Sequence, residues 1–352
     1  MMTTQMTDRR RKKARNAAVR LQDVAELAGV SVKTVSNVVR DQPNVRDETR
    51  KRVQRAIDEL GYVPNVTARR LATGRTGMVE LALPDIRAPY YAELADRMFD
   101  EAKKHGLRLL IEQTRGDLDS ERGTLVSPQQ GLVDGIIFEP VSMSTTQIAL
   151  LQSRTPIVML GDVTPPMSVD HVGVDNVAAA QTATTHLVER GCRRIAYLSN
   201  QDPNLINTER QRLLGYETAL RNAGREPDAS LYVPVTVPDA DGASRAIEDV
   251  LADGLRFDGL FCYNDMFAIG ALRALRRAGL RVPDDVAIVG WNDILMAQYT
   301  NPSLTTIAPD IKGLCENALT MLNSRIDGYQ GIGRHVDVDY RLVVRESTAH
   351  DA

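Results

Sequence analysis

Two kinds of hydrophobic spacing divide the chain. Between Leu21 and Leu60 apolar residues recur at helical intervals. Val24, Ala25 and Ala28 share one face of a first helix, and Val35 and Val38 one face of a second. Val53, Ala56, Ile57 and Leu60 stripe a third, from about Asp47 to Leu60. From Met78 onward short apolar runs alternate with amphipathic helices. Strands are expected at 78–83, 107–112, 135–138, 157–160, 194–199, 231–235, 259–262 and 286–290, with helices at 90–104, 176–190, 209–223 and 265–278 between them. This alternation predicts an α/β body of parallel sheets with right-handed crossovers. The body also repeats itself: VDGIIF at Val133–Phe138 resembles FDGLFC at Phe257–Cys262, 124 residues later, and the opening strands near Val79 and Ile195 lie 116 apart. Two halves of one plan follow. Ligands of such sheets bind beyond the carboxyl ends of the strands, here the cleft between the halves, and closure around a ligand is the natural motion.

The first stretch carries more specific chemistry. In LQDVAELAGVSVKTVSNVVR (residues 21–40) Ala25 lets two helices cross closely, and Gly29 can take the positive φ of a sharp turn. Val30 would plug the corner and Ser31 would cap the second helix. Val32, Lys33, Thr34, Ser36 and Asn37 then fall mostly off the packed face. Donors and acceptors at the start of such a helix are how a helix-turn-helix meets the major groove; an ordinary helical hairpin with a solvated face is the alternative. Residues 65–73 could add two helical turns, too short to be stable alone in water. Leu71 there reads either as a minor-groove wedge on a basic surface or as a plain linker residue.

Charge sharpens the division. Residues 1–76 hold 17 Lys and Arg against 8 Asp and Glu, net +9, whereas the rest hold 26 against 38, net −12, within a total of −3. A basic head on an acidic body points the head at a polyanion. The basic first twenty residues, with no apolar segment after them, read as a disordered arm, either drawn to phosphates or merely solubilising, and not as a secretory signal. No apolar run approaches a membrane span. Cys192, Cys262 and Cys315 are odd in number and far apart, as expected of buried thiols in a reducing cytoplasm. The five histidines have no metal-ligand spacing, no glycine-rich phosphate loop follows a strand, and no nucleophile elbow is present. Asn264-Asp265 reads as a catalytic group in isolation or as a helix cap. The expectation is a binding protein without enzymatic activity, metal or cofactor.

At this point a resemblance enters. DVAELAGVSVKTVSNVV, VRDETRKRV and ELGYVPNVTARRLATGRTG resemble the head of the LacI/GalR family of bacterial transcription regulators. The body resembles the same family through LPDIRAPYYAEL, VDGIIFEP, VGVDN, the RxxGY at Arg212–Tyr216, FCYNDMFAIGALRAL, DVAIVGWND and NPSLTTI, from about Leu21 to Ser347 in all. The resemblance implies a helix-turn-helix head on a two-lobed, periplasmic-binding-protein-like body, working as a cytoplasmic, nucleoid-associated homodimer that reads a near-palindromic double-stranded DNA operator. Val32, Lys33 and Asn37 would face base edges, and Ser31, Thr34, Ser36, Asn44 and Thr49 phosphates. Asn65, Ala68, Arg69 and Leu71 would form the hinge helix, with Leu71 the minor-groove lever. The cleft would bind a small effector, most often a sugar, with Arg212 as main anchor, Asn264 and Asp265 from the second lobe, Tyr90 and Tyr91 from the first, and Asp162 and Asn292 at strand ends.

Three departures limit the transfer. Asn292 stands where the family commonly has Asp, Thr236–Gly242 (TVPDADG) lacks the aromatic that relatives often stack on the ligand, and Arg46 replaces the usual cap of the third helix. The expected organisation is an arm at 1–20, the DNA-binding domain at 21–64, a hinge at 65–77 and the body at 78–352. Lobe 1 takes about 78–175 and 308–335, and lobe 2 about 176–307 and 336–352. The expected function is repression relieved or enforced by an effector. The alternatives are a non-sugar metabolite such as a purine as effector, a solute-binding protein of a transporter, and an enzyme acting on sugars.

Overall fold

The computed structural model describes residues 19–39, 43–62, 75–126, 131–151, 155–200 and 206–349. Its contacts divide the chain into a head, Met1–Thr76, and a body, Gly77–Ala352. Of the expected hinge at 65–77, residues 65–74 lie outside the described residues, as does nearly all of the basic arm.

In the head, α1 (Leu21–Ala28), α2 (Val32–Val39) and α3 (Asp47–Leu60) close over one small core. Val24, Ala25, Ala28, Val35, Val38, Val53 and Ala56 are buried, with Val30, Ile57 and Leu60 packed around them. Tyr62, just past α3, is buried against the same cluster and was not anticipated. Gly29 sits at φ +62° and ends α1 in the left-handed conformation that residues with a Cβ adopt reluctantly. Ser31 Oγ accepts from Thr34 N at 3.1 Å and so caps α2. The N-cap of α3 is Arg46, without a side-chain cap; Asp47 and Glu48 in its first turn complement the dipole instead.

The body holds two six-stranded sheets of the same order. The first runs β11–β5–β4–β3–β1–β2, built from β1 (Met78–Leu83), β2 (Arg108–Gln113), β3 (Gly135–Phe138), β4 (Ile157–Leu160), β5 (Asp170–Val174) and β11 (His335–Val338). The second runs β12–β10–β9–β8–β6–β7, from β6 (Ile195–Asn200), β7 (Tyr232–Val235), β8 (Gly259–Cys262), β9 (Ala287–Trp291), β10 (Thr305–Pro309) and β12 (Tyr340–Val343). The internal repeat is therefore real: β1 and β6, and β3 and β8, occupy equivalent places. All pairings are parallel except β10 with β12. Helices cover both faces, so the central strands β3, β4, β8 and β9 read as continuous apolar runs. Leu94 and Met98 of α4 (Pro89–Lys104) cover one face of the first sheet, while α5 (Leu118–Val126) and α6 (Thr145–Leu150) lie over the other. The second sheet is packed likewise by α7 (Asn176–Glu189) and α8 (Ile206–Asn222) on one face, and α9 (Ala240–Ala252) and α10 (Asp265–Arg277) on the other.

The chain passes between the lobes three times. It leaves lobe 1 after β5, where Asp175 caps α7 by accepting from Ala178 N. It returns after β10 into α11 (Ile311–Ile326), whose Leu314, Ala318, Leu319 and Leu322 pack on the first sheet. It leaves again after β11. The last two passages lie side by side, Asp310 N donating to Asp339 O at 2.9 Å. These points shift the expected lobe boundaries. β10 stays on the second sheet to Pro309, and β11 pairs with β5 through Val338↔Val174, so 336–338 belong to lobe 1. Backbone ladders decide this, and side-chain pattern does not reveal them. Among the described residues no helix is long and apolar enough to cross a membrane.

Candidate functional site

On the head, every expected contact residue that the structure describes is outside the core. Ser31, Val32, Lys33 and Asn44 are exposed, and Thr34, Ser36, Asn37 and Thr49 half-buried. Burying Val35 and Val38 forces this: on a 3.6-residue helix their neighbours must turn outward. Val32 is an apolar side chain left 39% exposed at the first turn of α2, beside Lys33. Arg46, Lys51, Arg52 and Arg55 are exposed on and before α3. An exposed helix start bearing Lys33, in a small unit that also exposes cations on and before its third helix, fits a groove and its phosphates. Asn65, Ala68, Arg69 and Leu71 lie outside the described residues.

Within the body, a cavity of about 310 Å³ lies between the lobes at the carboxyl ends of both sheets. Tyr90, Tyr91, Asp162, Arg212, Asn264 and Asn292 all line it. Arg212, on α8, is 8% exposed and held from several sides. Its Nε donates to Asn176 Oδ1 at 2.9 Å and its Nη1 to Tyr263 O at 2.5 Å. The guanidinium lies 3.9 Å above the Trp291 ring and 4.7 Å from that of Tyr263, two cation–π contacts. Asn176 Nδ2 in turn donates to Asp162 Oδ1 at 2.5 Å, and Thr208 Oγ1 donates to Asp162 Oδ2. One network thus joins α8, the start of α7 and the loop after β4 across the cleft.

The first lobe adds a second network. Tyr91 OH donates to Glu139 Oε1 at 3.0 Å. Burial, and then the Asp162 carboxylate, push the Glu139 carboxyl from 4.5 up to about 8, so it is protonated and uncharged near neutrality. Asp85 is fixed by Arg87, whose Nη2 lies 2.8 Å from it, and the nearby Arg115 also favours its charged form. Facing the cavity, Asp85 and Asp162 are thus set against Arg115 and Arg212. The charges balance. On the second lobe Asn292 has φ +113°, a backbone shape that Asn tolerates better than most residues. Its N donates to Ile307 O at 2.8 Å.

Asp265 corrects the expectation. It is fully buried and does not line the cavity. Its carboxylate accepts from Thr306 Oγ1 at 2.6 Å and from Ile294 N at 2.9 Å, tying α10 to β10 and to the turn after β9. Asn264 does line the cavity while its Oδ1 caps α10 from Phe267 N at 2.9 Å. Successive residues at a helix start point in different directions, so only the first of this pair reaches the cleft. Burial pushes the Asp265 carboxyl up to about 6, because these two donors only partly offset desolvation.

Several lining residues were missed: Glu139, Tyr263, Arg115, Asn176 and Thr208. A signal existed for the first three. Each follows a strand by one or two residues, where a parallel sheet presents its loops. Nothing local marked Thr208, which reaches the cleft from a helix.

The lobes also touch beside the cavity. Glu93 Oε1, on α4 of lobe 1, accepts from Leu295 N at 2.8 Å, at the start of a short 3₁₀ turn (Leu295–Gln298) of lobe 2. No group of three or more metal-ligating side chains is present among the described residues.

Residues 20–65 match the lacI family of bacterial regulatory proteins, and residues 184–348 a periplasmic binding protein-like domain. The HTH-type transcriptional regulator DegA of Bacillus subtilis (strain 168) is 32% identical over 93% of this chain and 97% of its own length. A solved transcriptional regulator CelR–cellobiose complex is similar with TM-score 0.70 and 30% identity, over 94% of this chain and 99% of that one. The lac repressor dimer bound to operator and the anti-inducer ONPF is similar with TM-score 0.82 and 25% identity, over 95% and 100%. Both parts of the chain, in this order and over nearly its whole length, agree with these likenesses, and the chain belongs to the lacI family of bacterial transcription regulators.

Proposed function

We propose that the protein is a homodimeric repressor in the bacterial cytoplasm, on the nucleoid, whose affinity for a near-palindromic operator is set by a small uncharged carbohydrate bound between the lobes. The observation that carries the ligand class is the balanced cavity. Two carboxylates oppose two guanidinium groups, and Glu139 is neutral at physiological pH. A phosphorylated or carboxylated ligand needs an excess of cations, whereas a polyol needs many fixed donors and acceptors and little net charge. Arg212, already held through Nε and Nη1, would meet the ligand with the remaining edge of its fork, and Tyr90, Tyr91, Asp162, Asn264 and Asn292 would complete the shell. The similar CelR structure is a cellobiose complex, which supports the same class. The protein works by binding and not by catalysis.

On DNA, Val32, Lys33 and Asn37 would read base edges, while Ser31, Thr34, Ser36, Asn44 and Thr49 hold phosphates. Asn65, Ala68 and Arg69 would order with Leu71 as it wedges the minor groove. Dimerisation is supported by exposed apolar side chains on both lobes, Leu110 and Ile111 on the edge strand β2 and Leu295, Met296 and Tyr299 in and after the 3₁₀ turn, and by the similar lac repressor dimer. The test is selection of bound sequences from random duplexes by the purified full-length protein. A recovered near-palindrome whose affinity falls with Leu71→Ala, with ligand binding intact, supports the reading; equal loss of both functions removes the lever role.

A further inference from the structure

Among the described residues three other than glycine have positive φ: Arg115 at +59°, Asn292 at +113° and Asp293 at +53°. Arg115 and Asn292 line the cavity, one from each lobe, and Asp293 follows directly on the second. Asparagine and aspartate take this backbone shape more readily than most residues, but arginine has no such allowance, because its Cβ crowds the carbonyl that follows. Strain of this kind persists only where the surroundings over-determine it, and it gathers at sites that bind.

The surroundings of Arg115 do over-determine it. Thr114–Asp117 (TRGD) links β2 to α5 as a four-residue turn in which Asp117 N donates to Thr114 O at 3.1 Å. Both central residues, Arg115 and Gly116 (φ +63°), are left-handed, the geometry of a type I′ turn, whose first central position normally goes to Asn, Asp or Gly. Fully buried Thr114 ties the turn to β1: its N donates to Leu83 O at 2.9 Å, and its Oγ1 accepts from Gly116 N at 3.3 Å. From the other side Ser142 Oγ donates to Gly116 O. The loop carrying Ser142 is fixed in turn, since the buried Glu121 carboxylate accepts from Val141 N at 2.8 Å, Ser142 N at 3.1 Å and Met143 N at 2.8 Å. Arg115 cannot relax into an ordinary conformation without breaking these bonds.

What the turn delivers is the side chain. Arg115 is exposed on the cavity lining, whereas Arg212 and Trp291 are buried there. Among the described residues its guanidinium has no hydrogen-bond partner. Asp85, the carboxylate whose charged form it favours, is taken up by Arg87, whose N, Nε and Nη2 donate to it at 3.0, 3.0 and 2.8 Å. A fork with its donors uncommitted can give two parallel hydrogen bonds to neighbouring hydroxyls, and a backbone already fixed loses little freedom in doing so. We propose that Arg115 contacts the ligand from the first lobe, its guanidinium donating to neighbouring hydroxyls of a neutral carbohydrate, and that the turn stores backbone strain to hold it there. The contact rests on the reading of the cavity as the effector site.

Isothermal titration of the full-length protein with cellobiose, maltose, lactose, sucrose and trehalose keeps the two apart. A parent that binds none of them fails that reading, and the contact with it. With the disaccharide that the parent binds most tightly, Arg115→Ala and Arg115→Gly should each weaken binding roughly tenfold, the loss of hydrogen bonds from a charged donor. Arg115→Lys keeps the charge but not the fork and should remain roughly fivefold weaker than the parent. Both small substitutions remove the guanidinium, but only glycine removes the strain. Without ligand, Arg115→Gly should therefore melt roughly 1–3 °C above Arg115→Ala. Parental affinity in both small variants overturns the contact. A weakening confined to one of them places the effect in the backbone and overturns it as well, and equal melting of the two overturns the stored strain.

Discussion

Glu139 shows how much one side chain can tell about this cavity. Its carboxyl is raised from 4.5 to about 8 by burial and by Asp162. The folded protein therefore holds a proton that the unfolded chain releases near pH 4.5, and parental stability falls as pH rises from there to about 8. Glu139→Gln keeps the Tyr91 hydrogen bond and removes the titration. Its melting temperature relative to the parent should climb between about pH 5 and about pH 8 by several degrees, and a difference that stays flat with pH would show that Glu139 is charged throughout. Arg212 belongs at the same scale. Arg212→Lys loses the fork and the stacking on Trp291 while keeping the charge, and should weaken the ligand response at least tenfold, with operator binding retained. Trp291, the single tryptophan and part of the cavity lining, would report binding there by its fluorescence. Unchanged saturation in the variant would move the binding site elsewhere.

At the scale of elements, Glu93 joins α4 of lobe 1 to the 3₁₀ turn of lobe 2. One hydrogen bond to a carboxylate at a half-open position is worth about 1 kcal/mol net. Glu93→Ala should therefore favour the open cleft and lower ligand affinity by roughly two- to tenfold, with a measurably larger radius of gyration in solution scattering of the free protein. Identical scattering and affinity would remove the latch. The elements themselves were largely legible. Every expected strand formed within a residue or so of its place, because strands covered on both faces must be continuous apolar runs. β5, β11 and β12 carry a weaker imprint. Asp170 and His171, and His335 and Asp337, put polar groups where an apolar run was sought: Asp170 closes on Arg325 and Arg334, the two histidines meet, and His335 and Asp337 stand half exposed on the edge strand. Asp265 was misplaced for a related reason. Its identity suited a ligand, but its partners, Thr306 and Ile294, come from segments 29 to 41 residues away.

For the whole molecule, the repeat and the charge asymmetry already separated a basic head from an acidic doubled body, and the two sheets of identical order give the cleft its position. What composition could not convey is the near neutrality of the cavity lining, which depends on Asp85, Asp162, Arg115 and Arg212 all reaching it and on the proton at Glu139. Regulation then requires that ligand and operator favour different states of one dimer, a coupling of typically about 1–3 kcal/mol. The most direct test is the dissociation constant for the selected operator, measured by fluorescence anisotropy at fixed salt against a panel of neutral mono- and disaccharides, sugar phosphates and purines. The account predicts that a neutral carbohydrate changes it by roughly 5- to 150-fold and that this change is lost in Arg212→Lys. A change produced only by an anionic ligand, or no change with any compound that alters Trp291 fluorescence, would contradict it.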